Sequence, residues 1–369
     1  MVRSVWISFL VSKNMTQSAV WHKKSNLKFP WLLGYENDLL YLLGPNLIAF
    51  AFYFYAFFNP AFMDAAAPLI TFTYAGNVIH QAATWFHYLD RRNRGYYTNT
   101  ARQRFKFIFA PILIVALSIL GGFLYAPIVA LIYILWSMPH FVQQNAGILL
   151  LYHDAKSGEA IVDRKLEVKT QQLSGLFFIL LAWYRLMLIQ TPAASISLVV
   201  IAVVFLLLTV SCTAYTWALF SQVRKGASLN LPALLFWFIS ITFFIPFGYI
   251  GSNDFAVSFM IPSLLHWWQY IGLNFVMLKR KYDPEQATNL VWSKPVPLFV
   301  GFAALILLIQ FGSYLFLHFQ FPQKEYAKVW NSAFLGLGMV HYLLDGFIWK
   351  FREPFNRQSM LPYLVHKAT

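Results

Sequence analysis

Residues 128–153 read IVALIYILWSMPHFVQQNAGILLLYH, and the first carboxylate does not come until Asp154. A membrane core about 30 Å thick is crossed by about 20 mostly apolar residues rising about 1.5 Å each. The stretch meets that length with no lysine, arginine or carboxylate inside it, so it is expected to be a membrane-spanning helix. Near its middle sits His140, preceded by Pro139 and followed four residues later by Gln144. An imidazole at that depth is costly unless something partners it.

Working outward, nine more stretches have the same character: 39–58, 66–89, 107–126, 173–190, 195–220, 231–252, 255–278, 296–318 and 329–350. With 128–153 they make ten expected spans, an all-α polytopic membrane bundle. The organisation that follows is a cytoplasmic or interfacial segment 1–38, a single transmembrane helical domain 39–352 and a cytoplasmic tail 353–369. Composition agrees, with 59% hydrophobic and only 11% charged residues, where soluble proteins carry roughly a quarter charged. Cys212 is the only cysteine, which rules out a disulfide framework and any cysteine-rich metal or iron–sulfur site. Residues 1–12 are mildly apolar, but no A-x-A-like site follows and His22-Lys23-Lys24 comes next. No cleaved signal peptide is expected.

The net charge of +14 invites a nucleic-acid reading, but the positions of the charges explain it better. The basic residues cluster in the N-terminal segment, in the connections after the second, fourth, sixth and eighth spans, and in the tail. Of the 28 lysines and arginines, only Lys324, Lys328 and Arg185 fall on the opposite side. The positive-inside rule makes the basic face cytoplasmic and puts both termini there. No nucleic-acid partner is expected, while membrane lipids with anionic head groups suit that face.

Six of the nine histidines lie in even-numbered spans, all of which run from outside to inside. His80 precedes Arg91 by 11 residues, about 16 Å of helix, and His140 precedes Asp154 by 14, about 21 Å. His266 precedes Lys279 by 13, about 20 Å, and His341 precedes Lys350 by 9, about 14 Å. Half a bilayer core is about 15 Å, so all four reach the central zone. His87 lies two turns below His80 on the same face and is a candidate fifth ligand. His153 is rotated well away from the face of His140 and stands apart.

Each of the four has a polar companion at i+4, on the same helix face: Thr84, Gln144, Tyr270 and Asp345. An intramembrane carboxylate needs a partner, so Asp345 is expected to meet a metal, a histidine N–H or an arginine. Metal-bound histidines usually donate the second ring N–H to such an acceptor. Pro139 and Pro262 are expected to kink their helices and free carbonyls near the site. One metal explains four costly imidazoles at one level. A haem with axial histidines, a proton or transport path and separate structural hydrogen bonds remain the alternatives. Imidazoles with one carboxylate suit iron, zinc or copper. The spans lack H-E-x-x-H and a nearby glutamate base, so hydrolytic zinc is disfavoured, whereas iron with an open position activates O2. Asp345, Tyr270 and Gln144 are the candidate catalytic side chains. The expected partners are O2, a hydrophobic small molecule and an unidentified electron donor.

The segment Val340–Lys350, with His341 and Asp345 four apart, resembles the last-helix H-x-x-x-D motif of the Brp/Blh-type bacterial β-carotene dioxygenases. Met138-Pro139-His140-Phe141 and Leu265-His266 resemble two other intramembrane histidine segments of that family. The resemblance implies a helical protein of a bacterial inner membrane that holds non-haem ferrous iron and cleaves a carotenoid with O2. It implies His80, His140, His266 and His341 as iron ligands, with Asp345 just outside them. A second metal ion is left open.

Overall fold

In a computed structural model, residues 27–59, 61–62, 76–154, 163–185, 194–246, 255–282, 289–320 and 324–365 are described. Each of the ten apolar stretches contains a helix in its described part. Helix α1 spans Tyr35–Phe58 and α2 residues 76–86, which run into a 3-10 turn, His87–Leu89. The short α3, Arg91–Thr98, begins on an Asp90 cap whose carboxylate accepts from the Arg92 and Asn93 N–H groups. There follow α4 Ala110–Asp154, α5 Arg164–Trp183, α6 Ala194–Arg224 and α7 Leu231–Thr242. Then come α8 Phe255–Lys281, α9 Pro295–Gln320 and α10 Lys324–Ile348, with two short helices, Pro354–Ser359 and Leu361–Leu364, behind them. The only sheet among the described residues is the parallel pair Leu27–Lys28 and Leu229–Asn230.

At 45 residues, an unbroken α4 would be about 68 Å long, more than twice a membrane core. It is broken at Tyr125, whose backbone is extended (φ −161°, ψ 85°), two residues before Pro127. The contacts with α10 show that the chain reverses there. Before the break, Gly122 meets Ser332 and Gly336 meets Ser118, so α10 runs antiparallel to this half. After it, Gly338 meets Tyr133 and His341 meets His140, so α10 runs parallel to that half. Spans 107–126 and 128–153 are therefore the two arms of a hairpin. The helical backbone runs through Pro139 and Pro262 without a break, and the break in α4 falls at Tyr125.

Four helical stretches among the described residues are long and apolar enough to cross a membrane: Tyr35–Phe58, Ala101–His153, Ala194–Arg224 and Pro295–Gly312. Their outward residues form an apolar belt: Ile112, Leu113 and Leu117 on the first arm of α4, Val203 and Leu206 on α6, and Leu308 on α9 are all exposed. A soluble monomer rarely presents that much apolar surface, and the chain is a membrane protein. The helices around the centre are more polar because they carry buried histidines and amides. α1 approaches α8 so closely that a Cβ at Gly272 would overlap the Tyr41 side chain.

The basic connections gather at one end of the helices. Arg280 donates to the carbonyls of Tyr363 and Leu364, at 3.2 and 3.1 Å. The buried Asp38 carboxylate accepts from the Leu32 and Leu33 N–H groups and the Tyr152 hydroxyl. Tyr96 stacks on Phe355 at 3.9 Å. Lys281, in the basic connection after the eighth span, is buried, with Nζ 2.9 Å from Asp90 Oδ2. Burial alone would raise the Asp90 carboxyl, but Lys281, Tyr282 and the Asn93 N–H hold it below the ordinary carboxylate range. Burial lowers the Lys281 ammonium below its usual value.

Candidate metal centre

Each histidine of the expected layer comes from a different helix: His80 from α2, His140 from the second arm of α4, His266 from α8 and His341 from α10. They form one cluster, in which one ring nitrogen from each lies within 4.8 Å of the others. The rings of His80 and His341 are 4.1 Å apart, those of His80 and His266 4.7 Å, and those of His140 and His266 4.8 Å. All four are buried, His140 retaining 6% exposure and the others at most 1%.

Their ring nitrogens show what the cluster lacks. Both nitrogens of His80, both of His266, and Nε2 of His140 and of His341 are buried without a hydrogen-bond partner. Each such orphan costs free energy on the order of 1–3 kcal/mol, and native proteins hold few of them. A divalent cation at the centre would take one lone pair from each ring. Metal–nitrogen bonds of about 2.0–2.1 Å put tetrahedral donors about 3.4 Å apart, so donors that stand up to 4.8 Å apart would draw in by up to about 1.4 Å on binding. The four histidines can hold a metal ion. Among the described residues no second group of three or more such side chains comes together.

Asp345 closes one side. Its Oδ2 lies 3.6 Å from His341 Nε2 and 3.9 Å from His140 Nε2, beyond hydrogen-bond reach and facing the same space. Its Oδ1 accepts from the Tyr270 hydroxyl at 2.7 Å and the Thr84 hydroxyl at 3.0 Å. Thr84 Oγ1 is also 2.6 Å from Nδ1 of His341. The Thr84 hydroxyl is also 2.6 Å from the Tyr270 hydroxyl, and its one proton serves one of three neighbours. When Thr84 accepts from His341, the proton is on Nδ1 and the Nε2 lone pair is free to ligate. Trp349 Nε1 donates to the Tyr270 hydroxyl at 3.2 Å. Tyr342 covers the His140 ring at 4.5 Å and Phe141 covers His266 at 4.4 Å, which keeps bulk water away from two ligands.

Of the remaining expected site residues, Tyr270 packs against the cluster, 4.9 Å from the His80 ring. Gln144 reaches across to α8, its Nε2 donating to the His266 carbonyl at 3.0 Å and to Gln269 Oε1 at 3.2 Å. His87 is not in the group of four. Its Nε2 is 3.2 Å from Asn274 Oδ1, and Asn93 holds its carbonyl. His153 pairs with Glu167, which also accepts from the Tyr215 hydroxyl, away from the cluster. Sequence reasoning missed the buried amides Asn77, Gln81, Asn145 and Gln269. An amide inside an apolar span carries the same signal as a histidine and would have pointed to them.

A cavity of about 550 Å³ leads to the site. His140, Tyr270 and Asp345 lie at its inner end, Ile148, Leu151 and Leu273 along its walls, and Lys350, Phe351 and Arg352 at its rim. No family model, curated protein or solved structure matches the chain.

Proposed function

We propose that this protein is an integral membrane oxidoreductase in which His80, His140, His266 and His341 hold a non-haem ferrous ion, and that it uses O2 to oxidise or cleave a hydrophobic substrate. The observation that carries the reading is the convergence of four buried imidazoles, each with an unpartnered ring nitrogen that a single ion would take. Iron is preferred over zinc because no glutamate joins the cluster among the described residues to serve as a hydrolytic base. A ferrous ion with an open position supplies O2 activation when bound.

The chain's own residues have distinct parts in this. Thr84 fixes the tautomer and aim of His341, and Tyr270 with Thr84 holds Asp345 beside two ligands. Phe141 and Tyr342 shield the ligands from water. The cavity lets a hydrophobic molecule reach His140, Tyr270 and Asp345, and the resemblance of Val340–Lys350 makes a carotenoid, isoprenoid or lipid the class to test. The same reading has ten crossings, both termini in the cytoplasm and residence in a bacterial inner membrane. The asymmetry of lysine and arginine supports it.

Metal analysis of protein purified without added metal tests the centre. About one iron per chain is expected, falling sharply in His140→Ala and His341→Ala. Less than about 0.2 iron per chain, unchanged by His140→Ala, would sink the proposal. A Soret band in the same sample would replace it with the haem reading.

A further inference from the structure

The cavity is not equally apolar along its length. On the second arm of α4 its lining runs from His140 to Leu151, eleven residues and so about 16 Å. Between these ends the lining carries two amides, Gln143 and Gln144, next to His140, and is apolar beyond them, with Gly147, Ile148 and Leu273 among its residues. The rim is basic, carrying Lys350 and Arg352. Neither cation forms an ion pair with an acid among the described residues. Glu353 and Lys350 both lie near Lys106, and no ion pair joins Glu353 to Lys350 or Arg352 among the described residues. Leu150, Gly346 and Arg352 are exposed where the cavity opens, and a Cβ added at Gly147 or Gly346 would meet nothing within 4 Å.

Two unpaired cations at one end of a largely apolar, site-directed cavity are complementary to an amphiphile with an anionic head. We infer that the cavity binds a long-chain carboxylate amphiphile, with its acid head between Lys350 and Arg352 and its chain running past Leu151, Ile148 and Gly147 toward His140. This substrate class rests on the oxygenase reading for what happens at the inner end, while binding at the rim does not require a metal. A cavity of this volume suits one small ligand. The head sets the register of the chain, so the carbons presented to His140 and Asp345 lie at a fixed distance from the acid. Oxidation would then be regiospecific along the chain.

The test uses the full chain in a neutral detergent, titrated with cis-parinaric acid, a fluorescent fatty acid, and with its methyl ester. The acid is expected to bind at least about tenfold more tightly, because only it forms charge-assisted hydrogen bonds at the rim. The Lys350→Glu/Arg352→Glu double variant should bring the acid down to the ester's affinity and leave the ester unchanged. Gly147→Leu, which fills the cavity without a backbone clash, should weaken both. Oleic acid should displace the probe, and dioleoyl phosphatidic acid should not. Equal binding of acid and ester, no response to charge reversal, no effect of Gly147→Leu, or displacement by the phosphatidic acid alone each overturns the inference. Iron is measured in the same samples. Acid binding without iron fails the oxygenase reading alone, and an iron-loaded sample that ignores the acid fails the amphiphile site alone.

Discussion

The Thr84 hydroxyl on α2 lies 2.6 Å from Nδ1 of His341 on α10, two residues 257 apart in the chain. A Thr84 oxygen that accepts from Nδ1 holds His341 in the tautomer whose Nε2 lone pair faces the cluster. Thr84→Val keeps the shape and removes the hydroxyl. Metal affinity should fall about 10- to 100-fold, the usual cost of losing a group that orients a ligand, while Thr84→Ser restores most of it. Competitive titration against a coloured chelator measures both. An unchanged affinity in Thr84→Val would remove Thr84 from the site.

His87 follows His80 by two helical turns, yet its ring is bound to Asn274 rather than to the cluster. His87→Gln can keep that hydrogen bond and should leave metal content unchanged. His266→Ala should lower it. Mass spectrometry of the two purified variants gives the answer, and a matching loss in both would return His87 to the ligand set.

Without an ion six ring nitrogens of the cluster are buried without partners, and an ion at its centre would take one from each of the four rings. A bound ion stabilises the fold by RT ln(1 + [L]/Kd), about 2.7 kcal/mol at a hundredfold excess over Kd. Chelation should therefore lower the unfolding temperature of the wild-type protein in detergent, and restoring the ion should reverse it. The His80→Ala/His266→Ala double variant should not respond to the chelator. A wild-type unfolding curve indifferent to chelation and re-addition would argue against a structural contribution from the ion.

The buried pair of Asp90 and Lys281 has a separate signature. The folded state holds the Asp90 carboxyl below its ordinary value, so its stabilisation is complete above the unfolded value of about 3.9. It is lost as pH falls from there through the lower folded value. Unfolding followed from pH 7 to pH 3 should show this loss in wild type, with a flatter profile in Asp90→Asn. Asp90→Ala, which strands a buried ammonium, should cost about 3–5 kcal/mol. Adding Lys281→Met should recover much of that, and a double-mutant cycle measures the coupling.

The helices were legible because apolar run length and rise per residue are local properties. The level shared by His80, His140, His266 and His341 was legible too, since counting back from the first polar or charged residue after each span measures depth along a helix. Lys281 shows where such counting stops. Its neighbours Lys279 and Arg280 give it the pattern of a solvated basic turn, and its partner Asp90 is 191 residues away. The reversal at Tyr125 was half legible: Pro127 divides the two spans, but nothing local says that both arms pack against α10.

By itself the sequence determined the helical class, the apolar character suited to a bilayer and the four histidines at one depth, because each follows from spacing along one helix. Only the tertiary structure decided that the four rings meet and that His87 stays outside. It also decided that Thr84 and Tyr270 hold Asp345 beside the ligands, and that a cavity runs from them to Lys350 and Arg352. Those facts depend on how each helix is rotated about its axis and which helices are neighbours. Packing of side chains from distant segments sets both, and periodicity within a segment does not contain them.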